Sequence, residues 1–353
     1  IYEDASPDLY ADTSATGLYD PNRYTDWQKE MTRTAPIRDL NLSVSGATEN
    51  TNVYFSFNNT RQEGVIGDPL FERYNARINA DIGLGDRLTI GVRLTSGKTI
   101  LSEESGPLSA VYEMLPVVPV YDDNNASGYG YGDDTRARTY ASNPLALEEL
   151  IFNQTTGYHL LGNAFLNYKI LEGLEYELNA SYNWQMSHFK SYNEQGQIAW
   201  VNILPSGLTE EDSEFYSYFI EHKLQYQNTI GKHSFSAMAS YVGQQEHNRI
   251  HATSITGGYT FEGQNYWEID ASTAPLTSYS HAGNESTYAI ESYLGRVTYG
   301  FDEKYLLNMM VRHDGSSRFL EEVRWGTFPS ISGGWIVSSE NFFTSVPVVD
   351  FFK

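Results

Sequence analysis

Residues 304–336, KYLLNMMVRHDGSSRFLEEVRWGTFPSISGGWI, alternate in polarity on either side of a loop. Tyr305, Leu307, Met309 and Val311 fall on one side of a strand, and Asn308, Arg312 and Asp314 on the other. Successive strand side chains point to opposite faces, so such a strand has one apolar and one polar face. The same period of two recurs along the chain. Tyr74, Ala76, Ile78, Ala80 and Ile82 alternate with Arg73, Asn75, Arg77, Asn79 and Asp81. Leu88, Ile90, Val92 and Leu94 alternate with Thr89, Gly91, Arg93 and Thr95. Tyr176, Leu178, Ala180, Tyr182 and Trp184 alternate with Glu177, Asn179, Ser181 and Asn183.

Roughly eleven strands follow from this period. They lie near 40–48, 52–62, 69–83, 86–97, 157–170, 174–188, 214–230, 233–248, 286–301, 304–317 and 326–338. Several exceed the ordinary strand length of about 5–6 residues and reach the about 9–11 residues that cross a bilayer. The connections alternate too. Short ones fall at 48–50, 84–86, 171–173, 231–232 and 302–304, long ones at 98–156, 189–213 and 249–285. QEGVIGD at 62–68 and LEEVRWG at 320–326 are intermediate.

A soluble sheet with its apolar side on a core would give the same alternation. It has no reason to sort its connections by length. An outer-membrane barrel does, with tight periplasmic turns and extended external loops. The polar side carries Arg, Asn, Glu, Ser and Gln with little Lys, which suits a wet lumen. Aromatic residues gather near strand ends, at Tyr168, Tyr182, Trp184, Tyr226, Tyr241, Tyr299, Phe301 and Tyr305, as in an aromatic girdle. The expected fold is all-β, an antiparallel transmembrane β-barrel with long extracellular loops and short periplasmic turns. Leu178, Ala180, Tyr182, Leu224, Tyr226, Val297, Leu307 and Met309 are expected to face lipid; Glu177, Asn179, Gln225, Arg296, Arg312 and Asp314 are expected to face inward.

Composition narrows this further. The chain has 353 residues and no cysteine, which removes disulfides and thiolate metal sites. Its formal charge of −22 argues against nucleic acid as a partner. No run of about 18 apolar residues exists, so no helix spans a membrane. The opening IYEDASPDLY has neither the basic nor the apolar segment of a signal peptide. Residues 1–39 lack the alternation and read as a linker into the barrel, with a helical turn at 26–31 capped by Asp26. Residues 40–353 read as barrel wall.

The candidate chemistry is sparse. His247 and His251 have the spacing of two helical metal ligands but sit where a strand leaves for a loop, without the Glu of HExxH. Ser187 and Lys190 match S-x-x-K, which needs a helix start rather than a strand end. Asp123, Asn125, Ser127, Gly128 and Asp134 match a calcium loop, though Asp134 replaces the usual Glu and no helices flank it. A flexible loop is the plain alternative for Asp123–Asp134. Tyr129, Tyr131, Trp200, Tyr259, Tyr266 and Trp267 lie in the long connections, where they stack on sugars, pack on a partner or pack on each other. No nucleophile and base can be assembled, so an enzyme is not expected.

TDWQKEMTRTAPIRDLNLSVSGATENTNVYFSFNNTRQEGVI at 25–66 resembles the barrel of the SusC/RagA family of TonB-dependent outer-membrane transporters. So do FERYNARINADIGLGDRLTIGVRLTSG at 71–97, NPLALEE at 143–149, RHDGSSRF at 312–319 and RWGTFPSISGGWIVSSENFF at 324–343. The resemblance implies a barrel of about 22 strands, plugged by an N-terminal domain. It also implies a SusD-like surface lipoprotein, energy relayed through TonB, and import of a glycan or oligopeptide in Bacteroidetes-type bacteria. No plug or TonB-contacting segment is visible, so the chain is expected to be about the first half of the wall. An unclosed sheet has two unpaired edges, and a passive porin or adhesin barrel is the alternative. Arg73, Arg77, Arg93, Arg296, Arg312 and Asp314, with Ser316 and Arg318, are expected on the lumen side against the plug, because buried charges need polar partners.

Overall fold

The alternation resolves into one antiparallel sheet of 11 strands whose spatial order follows the chain. A computed structural model describes residues 24–103, 108–133, 137, 139–259, 267–345 and 349–353. The strands of the sheet are β1 (Ile37–Ala47), β2 (Thr51–Glu63), β3 (Leu70–Leu84), β4 (Leu88–Ser102), β5 (Ile151–Leu171) and β6 (Leu174–Asn193). They continue as β9 (Gly207–Ile230), β10 (His233–Thr256), β11 (Tyr279–Phe301), β12 (Tyr305–Ser316) and β13 (Trp325–Trp335). A small separate hairpin, β7 (Gly196–Ala199) and β8 (Asn202–Leu204), fills the connection between β6 and β9. β1 and β13 each have one neighbour among the described residues, so the sheet is open. β1 starts at Ile37, taking in the last residues expected to be linker.

Short turns and long connections alternate as expected. The five short turns lie at one end of the sheet and the long connections at the other. Gly173 adopts φ 77°, and a Cβ there would strike the Gln227 carbonyl, so that turn requires glycine. The β11–β12 turn instead carries Asp302 and Glu303 at φ 53° and 55°. It closes with a Lys304 N to Phe301 O bond of 3.0 Å, and Lys232 Nζ holds Asp302 at 2.9 Å.

Register fixes the two faces, since directly opposed residues share one. One row runs Leu174, Tyr226, Ala237, Val297, Met309, Ile331 across six strands. The next runs Tyr168, Tyr176, Leu224, Ala239, Gly295, Val311, Pro329. All eight residues expected to face lipid lie on this apolar face. Nothing among the described residues covers this face: Met309 is 42% exposed and Ile331 72%. On β9 the apolar stretch runs from Tyr216 to Tyr226. At about 3.3 Å per residue and a tilt of about 45°, it gives a band roughly 25 Å tall, the height of a barrel's apolar belt. Aromatics mark both edges. Tyr226 meets Phe235 and His233 meets Phe301 near the short turns, while Tyr216 stacks on His247 at 4.5 Å and His313 on Trp325 at 4.8 Å near the loops.

Above the band the same face turns charged. Lys190 pairs with Glu210 at 3.0 Å, His188 with Asp212 at 2.8 Å, and Trp184 donates to Glu214 at 3.0 Å. Among the described residues, most buried apolar side chains gather in three clusters at the long-loop end. In the first, Trp27 and Met31 of helix α1 (Trp27–Met31) pack on Val111, Met114 and Val118. Asp26 caps α1 by accepting from Lys29 N, as expected. The segment before β1 is thus tied to the loop rim, through Thr25 N to Pro116 O (2.7 Å) and Trp27 Nε1 to Leu115 O (3.1 Å). Helices α2 (Leu108–Glu113) and α3 (Pro144–Leu150) complete the rim.

Candidate functional site

The face opposite the apolar band carries the polar side chains. Arg73 stands opposite Thr60 and Thr99, Arg77 opposite Ser56 and Thr95, and Arg93 opposite Asn79 and Asn163. The same face continues through Ser181, Asn179, Glu221 and Lys223 to Ser240 and Leu294, which faces Arg312. Arg296 and Asp314 fall on it too. The structure therefore brings all six expected lumen residues, from β3 to β12, onto one surface.

Their charges are handled in two ways. Arg93 pairs with Asp81 at 2.7 Å, Arg312 with Asp314 at 2.7 Å, and Lys223 with Glu177. Arg296 Nε instead donates to the Asn308 amide oxygen at 3.0 Å, and Arg77 Nε to Thr95 Oγ1 at 3.3 Å. Neutral side chains knit the rest. Asn163 donates to Asn179 at 2.6 Å and to Ser181 at 2.9 Å, and Ser240 donates to Glu221 at 2.9 Å. Arg318 lies with its guanidinium carbon 3.9 Å from the Tyr288 ring centre, and Tyr288 donates to Glu246. Such a face offers dense donors and acceptors and mixed charge. It suits hydrated or polar occupants rather than an apolar core. Ser187 and Lys190 point to opposite faces, so the S-x-x-K spacing brings no nucleophile to a base.

The loop aromatics divide. Tyr192 stacks on Trp267 at 4.3 Å and meets Tyr259 edge-on at 5.4 Å, and Phe152 tilts against Trp267 at 4.9 Å. Leu208 and Ile255 close this cluster, so Tyr259 and Trp267 present little ring surface to solvent. Desolvation, reinforced by the nearby tyrosines and carboxylates, pushes the Tyr259 phenol well above the usual range. Tyr129 is buried with Ala146, Leu147 and Ile198 and donates to Glu149 at 2.6 Å. Desolvation first, then that bond, raises its phenol likewise. Tyr131 is also buried. Trp200 differs: it stacks at 5.1 Å and 23° on Tyr140, which is 64% exposed. The sequence reading missed Tyr140, which no alternation marks. Tyr266 lies outside the described residues.

Of the calcium-loop positions, Asn125 uses its amide nitrogen to bond Tyr129 O at 2.7 Å, and Ser127 donates to Gln197 O at 2.8 Å. Asp123 is at the loop surface, and Asp134 lies outside the described residues. Asp122, which the spacing did not single out, shapes the turn by accepting from Asn124 N at 3.0 Å. His247 is held by Thr287 at 2.8 Å, and among the described residues no group of His, Cys, Asp and Glu gathers as a metal site.

No protein-family model matches the chain. It is 27% identical over 354 residues to the TonB-dependent receptor SusC of Bacteroides thetaiotaomicron, covering 93% of this chain and 34% of that protein. It is 29% identical over 335 residues to the TonB-dependent receptor P26 of Formosa agariphila, covering 92% and 32%. The chain thus spans about a third of the length of the curated relatives it matches. Its fold is similar to the RagAB peptide importer in the open-open state, with a TM-score of 0.73 at 21% identity over 96% of this chain and 39% of that one.

Proposed function

We propose that this chain, which resembles the SusC/RagA type of TonB-dependent receptor, is part of the wall of an energised importer in the bacterial outer membrane. One observation supports the reading above the others. Eleven consecutive strands present an uncovered apolar belt with aromatic edges on one face and a hydrogen-bonded polar surface on the other. A bilayer outside and a wet lumen inside would satisfy both faces.

On this reading Arg73, Arg77, Arg93, Arg296, Arg312 and Asp314 face the lumen and the domain that plugs it. Glycan or oligopeptide enters from the long-loop end, where Tyr140, exposed and stacked on the half-buried Trp200, offers a stacking platform. Tyr129, Tyr131, Tyr259 and Trp267 shape the loops around it. The partners are a SusD-like lipoprotein on the rim and TonB from the inner membrane. The wall performs no catalysis and needs no cofactor. Calcium at Asp123, Asn125, Ser127 and Asp134 would brace one loop alone, and chelation is expected to leave uptake unchanged.

The test uses the full-length protein in its own cells. Uptake of labelled glycan or peptide should stop when a protonophore collapses the inner-membrane gradient, and the protein should co-purify with a lipoprotein. Uptake indifferent to the gradient would favour the passive porin instead.

A further inference from the structure

Four adjacent strands build a patch of the polar face unlike the rest. Asn58 of β2, Asn75 of β3, Gly97 of β4 and His159 of β5 stand in one row. The next row toward the loops holds Thr60, Arg73 and Thr99, and the next toward the turns holds Ser56, Arg77 and Thr95. The two arginines bracket a floor centred on Gly97. A Cβ at Gly97 would collide with the end of the Asn75 side-chain amide and with the His159 ring, so glycine keeps the floor open. Of these residues, all but Thr60, Gly97 and Thr99 line an open pocket of about 380 Å³.

The charges in this pocket are one-sided. Arg77 meets the Thr95 hydroxyl, and Arg73 Nε meets the Asn75 side-chain oxygen at 3.3 Å once that amide is turned to face it. Neither arginine forms an ion pair among the described residues, whereas Arg93 and Arg312 on the same face each have a carboxylate. Asp39 stands in the same row beyond Thr60, within electrostatic reach of Arg73, as a carboxylate at the pocket edge that accepts from Thr60 at 2.8 Å and Asn58 at 3.2 Å. The pocket keeps an excess of positive charge, two guanidinium forks against that one carboxylate, beside hydroxyl, amide and imidazole groups, in a chain of net charge −22. Guanidinium forks pair with planar or tetrahedral oxyanions through parallel N–H bonds.

We propose that Arg73, Arg77 and His159 form an oxyanion-binding site on the lumen wall, and that it receives carboxylate or sulfate groups of the imported molecule. The inference rests on the importer reading and narrows its cargo to an anionic polymer. Arg73 and Arg77 border the plugged lumen, but their pocket lies where cargo arrives: β3 runs from Leu70 at the loop end to Leu84 at the short turn, so the pocket occupies the loop-side half. An acidic protein repels polyanions, and a local positive pocket is the device that admits them.

The probe is selenate, a tetrahedral oxyanion located by anomalous scattering, added to crystals of the full-length transporter. A selenium peak is expected within hydrogen-bond distance of Arg73 and Arg77. Selenate should also raise Tm above a chloride control of equal ionic strength. Both effects should vanish in R73Q/R77Q, and in Gly97→Ala, which keeps both charges. A carboxylate of the plug seated in the pocket, or an empty pocket without a peak, would overturn the proposal. In cells, a fluorescent polysaccharide and protein digest is split by charge. R73Q/R77Q should cut uptake of the anionic fraction about tenfold relative to the neutral one, the scale of one lost charge-assisted hydrogen bond. Equal uptake of both fractions overturns the oxyanion site alone. Wild-type cells with no energised uptake of either overturn the importer reading with it.

Discussion

In the middle of the sheet the large apolar side chains are exposed, and at its long-loop end they are buried. Leu224, Val297, Met309 and Ile331 stand uncovered on the strands, while Trp27, Val118, Ala146 and Leu208 are sealed in loop clusters. The two regions use the same residue types under opposite rules. The difference teaches that two solvents act on one chain. The loops fold as soluble proteins do, by removing apolar surface from water. The strands carry their apolar surface outward and rely on the hydrogen-bond ladder for internal order.

Substitutions that treat one region by the other's rules should separate them. The largest effect is expected at Trp27, 3% exposed at the centre of the first loop cluster. Trp27→Ala should cost the rim about 3–5 kcal/mol, the usual loss for a buried Trp. Limited proteolysis should then cut within 108–141 while the strands stay protected. Cleavage spread evenly over strands and loops would erase the distinction. On the apolar face, Met309→Arg should cost about 2–4 kcal/mol at the bilayer midplane. It should lower the heat-modifiable barrel recovered from outer membranes. Met310→Arg, one residue along and on the opposite face, should assemble nearly normally. Equal losses from the pair would refute the facing.

The strand period made this much legible from sequence. The register followed because apolar and polar neighbours alternate wherever one face meets lipid. The strand extensions at 151–156, 189–193, 207–213, 249–256 and 279–285 did not show. There Lys190, Glu210 and Asp212 make the outer face as polar as the inner one, and alternation fades when both sides are wet. The loop clusters were hidden for another reason. Trp27 and Leu115 meet only in three dimensions, and nothing periodic joins them. That the arginines share the polar face could be read from their side of the strand. The pocket they form needed the row Asn58–Asn75–Gly97–His159, which exists only after three strand pairings are known.

Smaller effects sharpen the same contrast. Asn143 is fully buried; its side chain accepts from Leu145 N and Ala146 N and donates to Val120 O at 2.9 Å and Gly130 O at 2.8 Å. Asn143→Ala should cost about 1–3 kcal/mol. Faster amide exchange at Leu145 and Ala146, with none added in β9 or β10, would show it. The smallest expected effect is at the exposed short-turn end, where Tyr305, Trp335 and Lys304 bond to Glu340 and hold its carboxyl below the usual range. A depressed carboxylate contributes stability above its unfolded pKa and loses it as pH falls through the folded value. Trp335 emission should therefore be steady near neutrality and shift only at pH below that at which an ordinary glutamate titrates. Glu340→Gln should abolish the shift, and a transition near neutrality would count against this bond.

Because each strand of the wall pairs with its neighbour in the chain, the sheet can form as a succession of hairpins. Five of the ten closures span a short turn. The pairing of Ser102 with Gln154 spans the longest connection and must wait for its two ends to meet. Loop-closure entropy grows with the length of flexible chain, at about 0.6 kcal/mol per doubling. A connection that has already condensed around Val118, Asn143 and Ala146 is shorter to close than its residue count suggests. The rim clusters then act in time as well as in space: their collapse sets the pace at which β5 joins β4, and with it the second half of the wall.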